Sequence, residues 1–250
     1  MSRGSVLLRA SALLLLVAFV TAPDLFAPVF EPLTVNGAPA IYNQGSLLTL
    51  TLAHLATVFG ATLASTVVAV LLGIFVTRPM GMEFLPLSRS LVNIGQTFPP
   101  IAVLAIAVPL VGFGAKPTLI ALFLYGLLPI FENTLTGLTQ VSPLTLEAAK
   151  GMGMSPSRRL LEVELPLAMP IILAGIRLSV VINLGTATIG STVAAKGLGE
   201  VIIAGLQSNN TAFILQGGAV VALLAILIHD LFMTAERTMA RKLGGVAATS

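Results

Sequence analysis

Cysteine and tryptophan are both missing from these 250 residues, tyrosine and histidine occur twice each, and charged side chains make up only 9%. Without cysteine there is no disulfide framework, no thiolate nucleophile and no cysteine-based metal site, and the redox compartment stays open. His54 and His229 stand isolated, so neither a metal-ligand cluster nor a Ser/His/Asp set stands out, and membrane-enzyme chemistry has little support. The shortage of tryptophan and tyrosine leaves only a weak aromatic belt. The low charge matters most. A soluble domain carries about 25% charged residues, whereas this chain is 56% hydrophobic with a mean hydropathy of +1.00. For most of its length the solvent must be lipid.

A formal charge of +3 and a pI of about 9.7 do not point to nucleic acid. The basic residues stand singly or in pairs between apolar runs, with no stripe that could track phosphates. Six runs are long enough to cross a bilayer core of about 30 Å, which takes about 20 helical residues. They are Val6–Ala22, Leu47–Val76, Leu91–Gly112, Pro117–Leu138, Ala168–Ala194 and Ala212–Ala235. The second exceeds one upright helix, so it is either tilted or begins as a surface segment around Leu50–His54. Arg3, Arg9, the run ALLLLVAF and then Val20-Thr21-Ala22 have the form of a cleavable signal. Pro23 directly after that site opposes cleavage, and a retained helix is expected.

Placing the N-terminus in the cytoplasm puts Arg3, Arg9, Arg78, Arg89, Lys150, Arg158, Arg159, Arg237, Arg241 and Lys242 inside. Only Lys116 and Lys196 fall outside, a strong positive-inside bias. Both termini are expected in the cytoplasm. The expectation is an all-α polytopic helix bundle, a single membrane domain of about six spans. Residues 1–45 hold the first span and an irregular outer loop (Pro23–Gly45), residues 46–236 the core, and residues 237–250 a basic tail.

The longest inner segment, residues 139–167, reads as two short helices around a break. Leu144–Lys150 is a good helix former, and Gly151 and Gly153 end it. Ser155 is placed to cap a second turn opened by Pro156, and Pro166 and Pro170 punctuate the start of the fifth span. Physically this is either a docking element for a partner's groove or a plain connector.

Glu147-Ala148-Ala149, three residues, Gly153, nine residues and Val163-Glu164-Leu165-Pro166 resemble the EAA loop of binding-protein-dependent ABC importer permeases, with valine for the usual isoleucine. GQTFPPIAVLAIAVPLVGFG, YGLLPIFENTLTGL and GTATIGSTVAAKGLGEVIIAGL resemble the quaternary-amine branch of that family, most like permeases of the Yeh type. The likeness covers roughly residues 46–236, and Glu132 departs from the basic or neutral residue that many relatives carry before Asn133.

The resemblance implies a type I importer permease in the bacterial cytoplasmic membrane. It also implies import of glycine betaine, choline, carnitine or a related compatible solute. The implied partners are a second permease subunit, identical or a paralogue, cytoplasmic ABC ATPases and an extracytoplasmic binding protein. Glu147, Ala148, Ala149, Gly151, Gly153, Leu165 and Pro166 are then the ATPase-coupling residues. ATP and Mg belong to the partner ATPase, because this chain has no G-x-x-x-x-G-K-[ST]. Gly112–Lys116 (GFGAK) matches a phosphate loop only superficially and lies in an outer hairpin. No bound cofactor or metal is expected here. The rival readings are an importer of amino acids or another small solute and an ATPase-independent secondary transporter.

Inside the membrane three features stand out. Gln96, Thr97, Pro99 and Pro100 interrupt the third span, either as a kink or as part of a transport path. Asn133 in the fourth span and Asn183, Thr186, Thr188 and Ser191 in the fifth are path candidates, although small residues such as Gly185 and Gly190 also suit close helix packing. Glu132, Arg177 and Asp230 are intramembrane charges, and Arg177 is expected to pair with Glu132 or Asp230 unless it snorkels.

Overall fold

The computed structural model describes residues 3–35 and 37–242, and every regular element among them is helical. The helices are α1 (Arg3–Thr21), α2 (Leu47–Val76), α3 (Leu85–Thr97), α4 (Pro100–Val111), α5 (Ala115–Thr139), α6 (Pro143–Gly151), α7 (Pro156–Val193), α8 (Gly199–Gln207) and α9 (Thr211–Lys242). Four of them, α2, α5, α7 and α9, are each long and apolar enough to cross a membrane. The count rises to six if two bent pairs each make a span.

The first, second and fourth expected spans fall within a few residues of α1, α2 and α5, and the departures elsewhere have identifiable causes. α2 is one unbroken helix of 30 residues, about 45 Å at 1.5 Å per residue, so no surface segment precedes it. The third run is not one kinked helix. α3 ends at Thr97, Pro99 is in a polyproline-like conformation and α4 restarts on Pro100 after a 95° bend. Two consecutive prolines supply no N–H to carry helical bonding across. α7 begins earlier than expected, as Pro156–Arg159 passes through a π turn at Leu160–Glu164 into Leu165–Thr186 and then tightens to a 3₁₀ turn, Ala187–Val193. Ala194 in the left-handed region ends it.

The stretch Pro23–Leu33, expected to be irregular, is a series of short helical turns. Each has proline at its first or second position, where the fixed φ suits a helix and no N–H is missed. α8 was unexpected too, since nine residues between glycines carry little periodic signal.

The chain forms two compact units interleaved along the sequence. One comprises the chain up to Ala61, Phe98–Leu122 and Val181–Ile228; the other comprises Thr62–Thr97, Phe123–Val180 and the chain from His229.

In the first unit, neutral side chains hold backbone that would otherwise be irregular. Gln216, fully buried on α9, donates from Nε2 to Ala40 O and accepts Tyr42 N–H on Oε1. Asn210 caps α9 by accepting the N–H groups of Ala212 and Phe213, and its Nδ2 donates to Pro39 O. Buried His54 donates from Nε2 to Leu184 O at 3.0 Å. A carbonyl can only accept, so that contact fixes the proton on Nε2. Gly112 and Gly114, both at positive φ, make the turn between α4 and α5, and Gly114 N–H bonds Val193 O.

In the second unit Ala69 and Val76 of α2, Val92 of α3 and Leu127, Ile130 and Phe131 of α5 form an apolar cluster. Leu138, Ala168 and Ile172 form another between α5 and α7. Close approach is needed at Gly126, where a Cβ would lie 2.7 Å from both Ser65 Oγ and Ser179 Oγ.

Candidate functional site

The segment Ser142–Pro166 lies within the second unit, and its conformation follows residue by residue from its composition. Pro143 opens α6, and the helix ends in a Schellman motif in which Gly153 N–H bonds Lys150 O and Met154 N–H bonds Ala149 O. The motif needs a left-handed residue at Gly153, whose φ is +78°. No atom would obstruct a side chain there, so the glycine is required by backbone conformation rather than by space. Gly151 is the last residue of α6. Ser155 then accepts Arg158 N–H on its Oγ, and Pro156 takes the first helical position, as the sequence suggests.

The expected second short helix is instead the first turn of α7. The π turn closes with Leu165 N–H on Leu160 O, immediately before Pro166 and without calling on that proline's missing N–H.

The two faces of α6 differ. Ala149 is buried, while Glu147 and Ala148 are exposed together with Leu144, Met152 and, on α7, Leu161. Exposed apolar side chains beside the small Ala148 leave room for a partner surface to approach closely. The base of α7 is fixed in the opposite manner. The Glu164 side chain is only 5% exposed and pairs with both Arg78, from the α2–α3 turn, and Arg159, at 3.2 Å. Arg158 pairs with Glu162 on the solvent side. The sequence reading missed Glu164 as an anchor; the available signal was an acid held between Val163 and Leu165-Pro166.

The intramembrane charges pair differently from expectation. Glu132 takes Arg89, with Nε to Oε1 at 2.7 Å and Nη2 to Oε2 at 3.1 Å. Arg89 is available because α3 starts at Leu85, six residues before the expected span, which puts it on a helix rather than in a loop. Arg177 pairs with Glu236 at 2.8 Å, not with Glu132 or Asp230. The attraction is Coulombic, since the N–H direction misses the oxygen and neither atom gains a hydrogen bond. His229 Nε2 at 3.3 Å and Met233 Sδ at 3.0 Å complete the contacts of Arg177 Nη1. His229, Met233 and Glu236 follow i, i+4, i+7 spacing along one face of α9, and Asp230 is turned away from it. Glu236 was overlooked because α9 runs to Lys242 rather than stopping at Ala235.

The path candidates are dispersed between the units. In the second unit, Pro129 inside α5 has no N–H for Tyr125 O, and Gln96 Nε2 supplies the missing donor at 3.1 Å. Asn133 Nδ2 bonds Pro129 O at 2.8 Å. Exposed Thr97 bonds Asn93 O on its own helix. Pro99 and Pro100, in the first unit, form the break itself.

Also in the first unit, Asn183 is fully buried, Thr186 bonds Ile182 O, Thr188 bonds Gly185 O and Ser191 bonds Ala195 O. Close packing governs part of this stretch. A Cβ on Gly190 would lie 2.5 Å from Thr118 Oγ1, and one on Gly199 would lie 2.0 Å from Thr188 O. Among the described residues no group of acidic or histidine side chains is arranged to hold a metal.

Comparison with known proteins bears on the chain as a whole. The family described as "Binding-protein-dependent transport system inner membrane component" matches residues 69–242. The choline transport system permease protein OpuBB of Bacillus subtilis is 39% identical over 203 residues, covering 79% of this chain and 90% of the relative. The osmoprotectant import permease protein OsmY of Salmonella typhimurium is 39% identical over 189 residues, 76% and 80% of the two chains. The glycine betaine/carnitine/choline transport system permease protein OpuCB of Bacillus subtilis is 37% identical over 216 residues, 84% and 93%. In fold the chain is similar to the MetNI methionine ABC transporter in an inward-facing conformation, with a TM-score of 0.69 at 21% identity, covering 77% of this chain and 95% of that one. Helices able to cross a membrane, this fold and a match over most of the sequence lead to one assignment: the chain belongs to the family of inner membrane components of binding-protein-dependent transport systems.

Proposed function

We propose that this chain is the permease of an ATP-driven importer for a small quaternary ammonium solute such as choline, glycine betaine or carnitine, with α6 as the element that couples it to the ATPase. As an inner membrane component of a binding-protein-dependent ABC transporter it is not the catalytic subunit, and it works with an ATPase and a solute-binding protein. The observation that carries the substrate class is the 37–39% identity to permeases named for those solutes, over most of both chains. The lack of tryptophan supports selection by the binding protein rather than by this chain, because an aromatic cage holds a quaternary ammonium best with that residue.

The local geometry supports this coupling role for α6. Glu147, Ala148 and the apolar residues around them form the exposed face for the ATPase, and Ala149 is the buried face that α6 turns inward. The Schellman turn at Gly151–Gly153 joins α6 to α7 with little slack, and Leu165 and Pro166 continue directly into the span. A displacement of α6 is therefore handed to α7 as a rigid-body movement. Residues 46–236 form the transporting core in this reading, with a second permease subunit completing the path. Asn183, Thr186, Thr188 and Ser191 line that path in this reading, and Gln96, Thr97, Pro99, Pro100 and Asn133 shape α3, α4 and α5. ATP and Mg bind on the ATPase.

The test is uptake of labelled choline, glycine betaine and carnitine into vesicles holding the permease, its ATPase and its binding protein. ATP-dependent accumulation of at least one of the three is expected. Accumulation without ATPase, or of an amino acid in their place, overturns the proposal.

A further inference from the structure

We propose that Pro23–Leu33 is an interfacial segment, seated on the bilayer surface at the C-terminal end of α1 with one apolar face in lipid. It turns 110° from α1. Taken as a span by itself, α1 has 19 residues, about 28 Å at 1.5 Å per residue and close to a bilayer core of about 30 Å, and a segment set at that angle to it runs in the plane of the membrane.

The bend is held from one side. Phe19, a buried residue of α1, stacks on Phe30 with ring centroids 5.5 Å apart and meets Phe26 edge-on at 4.9 Å. Ala22 N–H bonds Ala18 O and Leu25 N–H bonds Ala22 O, which carries hydrogen bonding round the corner. Pro23, Pro28 and Pro32 stiffen the turns that follow.

The remaining side chains sort by chemistry. Leu25, Val29 and Leu33 recur every four residues along one face and are 75%, 66% and 38% exposed, with none of the aromatic contacts that hold Phe26 and Phe30. Asp24 and Glu31, seven residues apart, share a different and exposed face. An apolar face separated from a charged one suits a segment lying at a water–lipid boundary, and the acidic rather than basic polar face here leaves the apolar side chains as the anchor. The occupant of the open face follows from continuity. Leu13, Leu14 and Val17 on the preceding helix are exposed in the same way, and for a bilayer-crossing α1 what covers them is acyl chain.

Because the chain lacks tryptophan and cysteine, single substitutions report without background. Leu25→Trp, Val29→Trp, Leu33→Trp and the control Glu31→Trp would be placed in phosphatidylcholine/phosphatidylglycerol vesicles carrying doxyl groups at acyl carbon 5 or 12. The first three are expected to be quenched more by the shallow label than by the deep one, to a similar degree. Iodide should quench them about threefold less than the control. Quenching by neither lipid label would show water or protein on this face and overturn the proposal. Deep quenching that grows from position 25 to 33 would show a segment entering the bilayer and overturn it equally. Should a tryptophan variant not assemble, Leu25→Cys and Val29→Cys in the reconstituted transporter should react with a membrane-impermeant maleimide about tenfold more slowly than Asp24→Cys; equal rates contradict the proposal.

Discussion

Both compact units have to satisfy polar groups in surroundings with little water, and they do so with a different balance of carboxamides and ion pairs. In the unit containing Asn210 and Gln216, carboxamides bind backbone: two side chains hold Pro39, Ala40 and Tyr42 against the start of α9. In the unit containing Glu164, the carboxamides of Gln96 and Asn133 also bond backbone carbonyls, but ion pairs are added to them, namely Arg78 and Arg159 with Glu164, Arg89 with Glu132 and Arg177 with Glu236. The arginines available for such pairs, Arg78, Arg89, Arg158, Arg159 and Arg177, all fall within this second unit. A carboxamide satisfies one short piece of backbone and costs less to desolvate than a charge, whereas an ion pair is expensive to bury and more costly to break than to omit. Substitutions should therefore act differently in the two units.

The largest effect is expected at Glu164. Glu164→Gln leaves two guanidinium groups facing a neutral amide and should cost about 2 to 3 kcal/mol, less than for a fully buried pair because both arginines are about a quarter exposed. Thermal unfolding in detergent would show it as a lowered transition. Replacing all three residues by apolar ones should recover much of the loss, since breaking such a group costs more than dispensing with it. Next in size, Gln216→Leu strands Tyr42 N–H and Ala40 C=O and should cost about 1 to 3 kcal/mol. Here added salt should leave the difference unchanged, which separates an amide clamp from a charge effect. The smallest change is expected for Glu162→Ala. The Arg158–Glu162 pair is solvent-exposed and one helical turn long, so its loss should shift stability by no more than about 0.5 kcal/mol, and less at high salt.

How far the sequence could be read tracks how local each determinant is. The span boundaries of α2 and α5 follow from apolar run length, which needs no knowledge of neighbours. The turn at Gly153 and the cap at Ser155 follow from short-range backbone chemistry, and both were legible for that reason. The partner of Arg177 was not. It depended on α9 continuing past its apolar stretch and on which face of that helix meets α7, neither of which is encoded near Arg177. Gln96 shows the same limit: its amide answers a vacancy created by Pro129, thirty-three residues away. The Pro99-Pro100 break was visible as a disturbance, but a 95° bend rather than a kink is a tertiary outcome.

The central functional claim is that α6, through the turn at Gly153, couples the ATPase to the transport path. Its most direct test is the number of solute molecules imported per ATP hydrolysed by the reconstituted transporter carrying Gly153→Val. A β-branched residue at a φ of +78° must deform the Schellman turn while leaving the exposed face of α6 in place. The expected result is a fall of about tenfold in solute imported per ATP, with ATP hydrolysis and membrane insertion largely retained. An unchanged ratio, with uptake and hydrolysis preserved or reduced together, would contradict the account.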